Sequence, residues 1–313
     1  MITSAKNSRI VAARKLTQRK HRQQQNCFLV EGLQLLAMAI EARESSEAAR
    51  RKIVPRQVFY SENLFTGETA PRLLDQLIEA GAEAIPVAPT VLDTLSERDT
   101  SQGLAVTFDL QALTWSLNEL QSSILRQCSG QVSNLQSPIS QSPSLPISNP
   151  QSPKLLLILD QLQDPGNLGT LIRAADAVGA QGVILLEPCV DPFDPKTLRG
   201  TMGSVFTIPL IRTRNAAEVL PQLAEMGYDV VGADAKRGVT AWQSGNLAGS
   251  VALILGNEAR GLSSELHPYL TAYVSLPLRG HAESLNVSVA GGVLMYEWLR
   301  VNSYGVNTDD EEK

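Results

Sequence analysis

Five side chains that can hold charge or exchange hydrogen bonds stand in three short segments of the second half of the chain. They are Asn167 and Arg173 in Asn167-Leu168-Gly169-Thr170-Leu171-Ile172-Arg173, Glu258 in Gly256-Asn257-Glu258-Ala259-Arg260-Gly261, and Ser284 and Asn286 in Ser284-Leu285-Asn286-Val287-Ser288. Amide, hydroxyl and carboxylate groups can orient a nucleophile, and a guanidinium can face developing negative charge. Each segment borders an apolar run, which is where a parallel α/β sheet exposes its working loops. Taken singly, each residue has an ordinary alternative. Asn167 suits a helix cap, Arg173 lies off the apolar stripe Leu168, Ile172, Ala175 and Gly179, and Ser284 suits the N-cap of a last helix.

Several chemistries lack their residues. No Gly-Lys-Ser/Thr follows Gly256, so this is no phosphate loop, and no GxGxxG turn follows Leu159 or another strand, which counts against a nicotinamide or nucleotide enzyme. The G-x-S-x-G elbow is absent and Ser284 has no evident His and Asp relay. Cys27, Cys128 and Cys189 show no CxxC spacing, and the histidines are His21, His267 and His281, so neither a disulfide framework nor a metal site is expected.

The elements that must position these residues follow from hydrophobic pattern. After Lys154 the strands are apolar throughout: Leu155 to Leu159, Val183 to Leu186, Asp229 to Gly232 and Val251 to Leu255. Helical stretches from Leu168 to Val178, from Ala216 to Met226 and from Leu285 to Val301 separate or follow them. This alternation predicts a parallel sheet covered on both faces, with any catalytic machinery beyond the strands' carboxyl ends. Before the linker, a helix from Leu33 to Ala42, a strand at Gln57 to Tyr60, a helix from Pro71 to Ala80 and strands at Ile85 to Val87 and Leu104 to Phe108 predict a smaller α/β domain. From Gln127 to Pro153 the chain carries no charge and is rich in Ser, Gln, Asn and Pro, including Ser-Pro at Ser137, Ser142 and Ser152, which reads as a flexible linker.

The three segments, in this order, resemble the SpoU family of RNA ribose 2′-O-methyltransferases. Asp164 through Ala174 looks like that family's first motif, Leu255 to Gly261 its second, and Leu276-Pro277-Leu278 with Ser284 to Ser288 its third. The resemblance spans about Lys154 to Tyr304. Arg14-Lys15-Leu16 and Phe28 to Gly32 are similar to the ribosomal-protein-like substrate-binding domain that many members carry. It implies an N-terminal α/β substrate-binding domain at 1–113, a C-terminal α/β-knot methyltransferase domain with a trefoil-knotted parallel sheet at 154–304, and a homodimer; the Ser- and Pro-rich linker, taken as 114–153, departs from the family's usual short connection. S-adenosylmethionine would then lie against Gly256, Leu276 and Leu285, with Asn167, Arg173, Glu258, Ser284 and Asn286 around the reacting atoms. The substrate implied is structured RNA, ribosomal RNA ahead of transfer RNA; a non-catalytic RNA-binding protein of the same fold is the alternative.

Charge distribution agrees with an RNA partner. The 313 residues carry a net charge of -5, are 43% hydrophobic and 19% charged, which is ordinary globular usage. Yet Lys6, Arg9, Arg14, Lys15, Arg19, Lys20 and Arg22 all precede the first acid, Glu31. Arg14, Lys15, Arg19, Lys20 and Arg22 are the expected phosphate contacts, with a solvated helix face as the open alternative. The residues 305–313 hold the acidic run Asp309-Asp310-Glu311-Glu312, read as a solvated tail. No apolar run approaches the roughly 18 residues that cross a bilayer, and no signal-peptide core follows Met1, so a cytoplasmic protein is expected.

Overall fold

The computed structural model describes residues 1–96, 101–128 and 153–303. Most of the expected linker and the acidic tail lie outside the described residues. The chain forms two compact units, Met1–Thr114 with Asp191–Thr207, and Trp115–Val190 with the remainder from Ile208. The first unit therefore takes in a segment that lies within the span expected for the methyltransferase domain.

In the first unit four strands, β1 (Cys27–Glu31), β2 (Pro55–Tyr60), β3 (Glu83–Pro86) and β4 (Leu104–Asp109), lie in the order β1-β4-β2-β3. β4 runs antiparallel to both β1 and β2, while β2 and β3 are parallel. As a central strand β4 is buried from Leu104 to Phe108, which explains why it is apolar but for Thr107. The predicted helices appear at Leu33–Glu44 and Thr69–Glu79, the latter starting two residues before Pro71. What joins Asp191–Thr207 to this unit is aromatic. The ring of Phe193 lies tilted at 4.7 Å from that of Phe28, and the Phe206 ring lies 5.4 Å from Phe108. A buried ion pair adds to them: Arg22 Nη2 donates to Asp191 Oδ2 at 2.8 Å, and its Nη1 donates to the carbonyls of Leu16 and Thr17 at 2.7 and 2.8 Å.

The second unit carries an eight-stranded sheet. Its strands are β5 (Thr114–Trp115), β6 (Leu155–Asp160), β7 (Gly182–Leu186), β8 (Leu210–Thr213), β9 (Asp229–Ala233), β10 (Val239–Thr240), β11 (Val251–Leu255) and β12 (Ala272–Ser275). The order is β10-β12-β9-β11-β6-β7-β8-β5, and every pairing from β10 to β8 is parallel. The middle strands are buried on both faces, Leu155 to Leu159 and Val251 to Ile254 being fully inaccessible. A helix Leu117–Cys128 occupies part of the stretch expected as linker. Leu117, Leu120 and Ile124 recur at helical spacing and pack into this core.

Two helices bring the site segments together. The Pro165–Ala177 helix starts on Pro165, with Asp164 as its cap accepting from the Asn167 N–H at 2.8 Å. The Val287–Ser303 helix packs on it through Gly291, where a Cβ would fall 2.5 Å from both Leu171 Cδ2 and Leu255 Cδ1. A side chain at Gly291 would require both leucine methyl groups to move aside. No described helix is long and apolar enough to cross a membrane.

Candidate active site at the carboxyl edge of the second sheet

β6, β11, β9 and β12 run parallel, so their carboxyl ends share one edge of the sheet, and the three segments lie on or just beyond the loops that leave it. There the structure connects Glu258, Asn167 and Asn286 directly. Glu258 Oε1 accepts from Asn167 Nδ2 at 3.2 Å and from the Asp164 N–H at 3.1 Å, and Oε2 accepts from the Gln163 N–H at 3.3 Å. Asn167 Oδ1 accepts from Asn286 Nδ2 at 3.0 Å. The Asn286 Oδ1 in turn accepts from the Ser288 and Val289 N–H groups, at 2.9 and 3.4 Å. Each amide thereby has a fixed orientation, because exchanging its O and N would set donor against donor.

Two capping assignments differ from the sequence reading. Asp164 takes the cap expected of Asn167, which frees the Asn167 amide to bridge Glu258 and Asn286. Asn286 starts the last helix at Val287 rather than Leu285, and Ser284 stands before it, exposed. Ser284 and Arg173 make no hydrogen bond or ion pair among the described residues. Arg173 is exposed six residues after Asn167, about 9 Å further along the helix axis, with its guanidinium open to solvent.

Gly256 makes room for the loop that follows it. A Cβ there would lie 2.3 to 2.4 Å from the Gly261 carbonyl carbon and oxygen and the Leu262 nitrogen. What approaches is the loop's own backbone, closed by paired bonds between Asn257 and Gly261 at 2.9 and 3.0 Å. Leu276 is half-buried and Leu285 is 41% exposed. From Pro277 to Leu285 no backbone group is hydrogen-bonded within the chain among the described residues. Unclaimed donors and acceptors beside an exposed leucine fit an adenosine, whose ring is flat and apolar on its faces and polar at its edge.

Sequence reasoning missed Gln161, Asn257 and Ser263. Asn257 Nδ2 donates to the Gln161 carbonyl at 2.8 Å while its Oδ1 accepts from the Ala259 and Arg260 N–H groups at 3.0 and 3.1 Å. Turn-forming asparagine next to Gly256 is a readable signal for that role; nothing periodic points to Gln161.

The basic cluster divides. Arg14, Lys15 and Lys20 are exposed, and Arg19 is half-buried. Arg22, expected among the phosphate contacts, is only 1% exposed and spends its donors on Asp191, Leu16 and Thr17, so it cannot reach a phosphate. Of the cysteines, Cys189 is buried, and burial pushes its thiol up to about 11, which makes it an inert core residue rather than a nucleophile.

Comparison with known proteins agrees with this arrangement. Residues 154–296 match the SpoU rRNA Methylase family and residues 7–106 the MRM3-like substrate binding domain. The chain is 30% identical over 295 residues to the 23S rRNA (guanosine(2553)-2′-O)-methyltransferase RlmP of Bacillus subtilis, covering 94% of this chain and 97% of that one. An AdoMet-bound rRNA methyltransferase from Sinorhizobium meliloti superposes with a TM-score of 0.75 at 29% identity, covering 96% and 97% of the two chains. The SpoU methyltransferase AviRb of Streptomyces viridochromogenes, in complex with AdoMet, gives a TM-score of 0.74 at 25% identity over 94% and 98%. Fold and site thus define a two-domain RNA methyltransferase. The chain belongs to the SpoU rRNA methylase family.

Proposed function

We propose that this protein transfers a methyl group from S-adenosylmethionine to a ribose 2′-hydroxyl of ribosomal RNA. The observation that carries the site is the linked set Glu258, Asn167 and Asn286, which draws all three motif segments into one surface. The full-length similarity to RlmP supports the ribosomal substrate. Gly256, Leu276 and Leu285 belong to the loops that would hold the cofactor, which supplies an electrophilic methyl group on sulfur.

This chain's residues must then hold the hydroxyl in line and ease the loss of its proton. Glu258 already accepts three N–H groups, so it serves best as the clamp that fixes Asn167. Arg173 has free donors, but its guanidinium stays charged and has no acceptor. Its role is therefore to stabilise negative charge forming on the 2′-oxygen, or to hold the neighbouring phosphate. Ser284 lies exposed in the segment before Asn286 and completes the surround. Incubating the protein with methyl-labelled S-adenosylmethionine and ribosomal or transfer RNA tests the reading. Label in ribosomal RNA at a ribose that resists alkaline cleavage is expected; cofactor binding without transfer would leave a non-catalytic RNA-binding protein, and label in transfer RNA alone would reassign the substrate.

A homodimer is part of this proposal. Val289, Val293 and Tyr296 are 53, 38 and 55% exposed and recur at helical spacing on the Val287–Ser303 helix, an apolar stripe beside the site. Tyr296→Asp should shift the sedimenting species towards monomer, and a wild-type chain that sediments as a monomer would remove the dimer from the proposal.

The exposed Arg14, Lys15 and Lys20 are proposed to contact RNA phosphates. Replacing all three by glutamine should weaken RNA binding equally across sequences and lower the salt slope by about 2 to 3, since each phosphate contact contributes nearly one. An unchanged slope in a filter-binding titration would place the RNA elsewhere.

A further inference from the structure

Gln161 follows the last residue of β6 with φ 54, a left-handed conformation that disfavours an L side chain and that a glycine would adopt without steric cost. At this position the side chain is retained against a conformational cost, and its bonds show what it does. Its Nε2 donates to Ser263 Oγ at 3.1 Å and its Oε1 accepts from Arg260 Nη2 at 3.3 Å. Its carbonyl accepts from Asn257 Nδ2 at 2.8 Å and from Gln163 Nε2 at 3.1 Å, while its N–H donates to the Leu186 carbonyl at 3.1 Å. One residue thus ties the exits of β6, β7 and β11 together. A second tie lies beside it, where the buried Asp160 Oδ2 accepts from the Ser263 N–H at 2.7 Å.

We propose that Gln161 is a positioning residue for methyl transfer, locking the β6 exit to the Gly256–Ser263 loop so that Glu258 meets Asn167. This role rests on the reading of Glu258, Asn167 and Asn286 as the reacting surface. Glu258 is held by the N–H groups of Gln163 and Asp164, two and three residues after Gln161. It leaves the loop that Gln161 anchors at Asn257, Arg260 and Ser263, on both sides of Glu258. Without the Gln161 side chain the loop loses its anchors at Arg260 and Ser263, while the Asn257 bond to the Gln161 main-chain carbonyl stays; Glu258 is then held on one side only, and a displacement of about 1 Å at a reacting surface is enough to cost orders of magnitude in rate.

Gln161→Gly in the full-length protein separates the side chain from the backbone. Glycine keeps the left-handed turn at ease, so the thermal midpoint should hold or rise. Affinities for S-adenosylmethionine and RNA should stay within about twofold, while kcat falls about tenfold with KM unchanged, the split expected when only transition-state geometry is lost. Gln161→Met, similar in shape but without the amide, should show the same loss. Ser263→Ala should lower kcat too, and the double variant Gln161→Gly with Ser263→Ala should be little worse than Gln161→Gly alone, because the two share one contact. Asn167→Ala is measured alongside. Loss of turnover in Asn167→Ala with normal kcat in Gln161→Gly and Gln161→Met overturns the positioning role alone. Normal turnover in Asn167→Ala overturns the reading of the reacting surface and the positioning role with it.

Discussion

Replacing Arg173 by alanine is expected to lower methyl transfer by at least about a hundredfold, the scale for removing one electrostatic group from a transition state. Its position on the Pro165–Ala177 helix makes the test clean. Arg173 is exposed and its side chain makes no hydrogen bond or ion pair among the described residues, so alanine, the best helix former, should leave stability within about 0.5 kcal/mol of wild type. Cofactor affinity should change little, because Gly256, Leu276 and Leu285, proposed to hold the cofactor, lie in other loops. Arg173→Lys distinguishes the two roles open to the guanidinium. A point charge should recover much of the rate if the group only offsets charge on the 2′-oxygen, and little of it if the planar fork grips a phosphate through two bonds. The measurement is single-turnover transfer with saturating enzyme, which separates chemistry from binding. Turnover within about threefold of wild type in Arg173→Ala would remove this residue from the mechanism.

How far the sequence discloses this protein depends on which force places each residue. β6 and β11 are legible because a strand buried on both faces must be apolar throughout, and Leu155 to Leu159 and Val251 to Leu255 leave no other reading. The helix from Leu117 escapes notice because its apolar residues are sparse and run straight into an uncharged Ser- and Pro-rich stretch. Motif order discloses which segments converge, yet not which atoms bond. Both Asp164 and Asn167 have capping side chains three residues apart, and only the geometry shows that Asp164 caps while Asn167 bridges Glu258 and Asn286. Gln161 is invisible for a stronger reason. Its backbone conformation would suggest glycine, and its contacts to Asn257, Arg260 and Ser263 span about a hundred residues of chain. Counting charges misled in one place: seven basic residues before the first acid look like a single surface, but burial withdraws Arg22 from it.

Arg22→Met is expected to destabilise the first unit by about 3 to 5 kcal/mol, the usual result of removing one partner from a buried pair. The cost arises from what stays behind. Asp191 is 7% exposed and would lose the two guanidinium N–H groups that now meet it, at 2.8 and 3.2 Å, while the Leu16 and Thr17 carbonyls would lose a charged donor. Arg22→Lys should not repair the loss, since one ammonium cannot serve Asp191 and both carbonyls in the geometry of the fork. Arg22→Met with Asp191→Leu should recover a large part, because an apolar pair removes the buried carboxylate that the single change leaves without its guanidinium. Denaturant unfolding followed by fluorescence of the intact chain reads all three. A single variant as stable as wild type would mean that the aromatic contacts alone hold Asp191–Thr207 in this unit, and a double variant as weak as the single would mean that the carbonyl contacts, rather than the ion pair, are what the guanidinium is there to make. The same geometry bears on dividing the protein: a chain starting at Lys154 would carry Phe193 and Phe206 without Phe28 and Phe108, so the catalytic segment is best studied with residues 1–114 present.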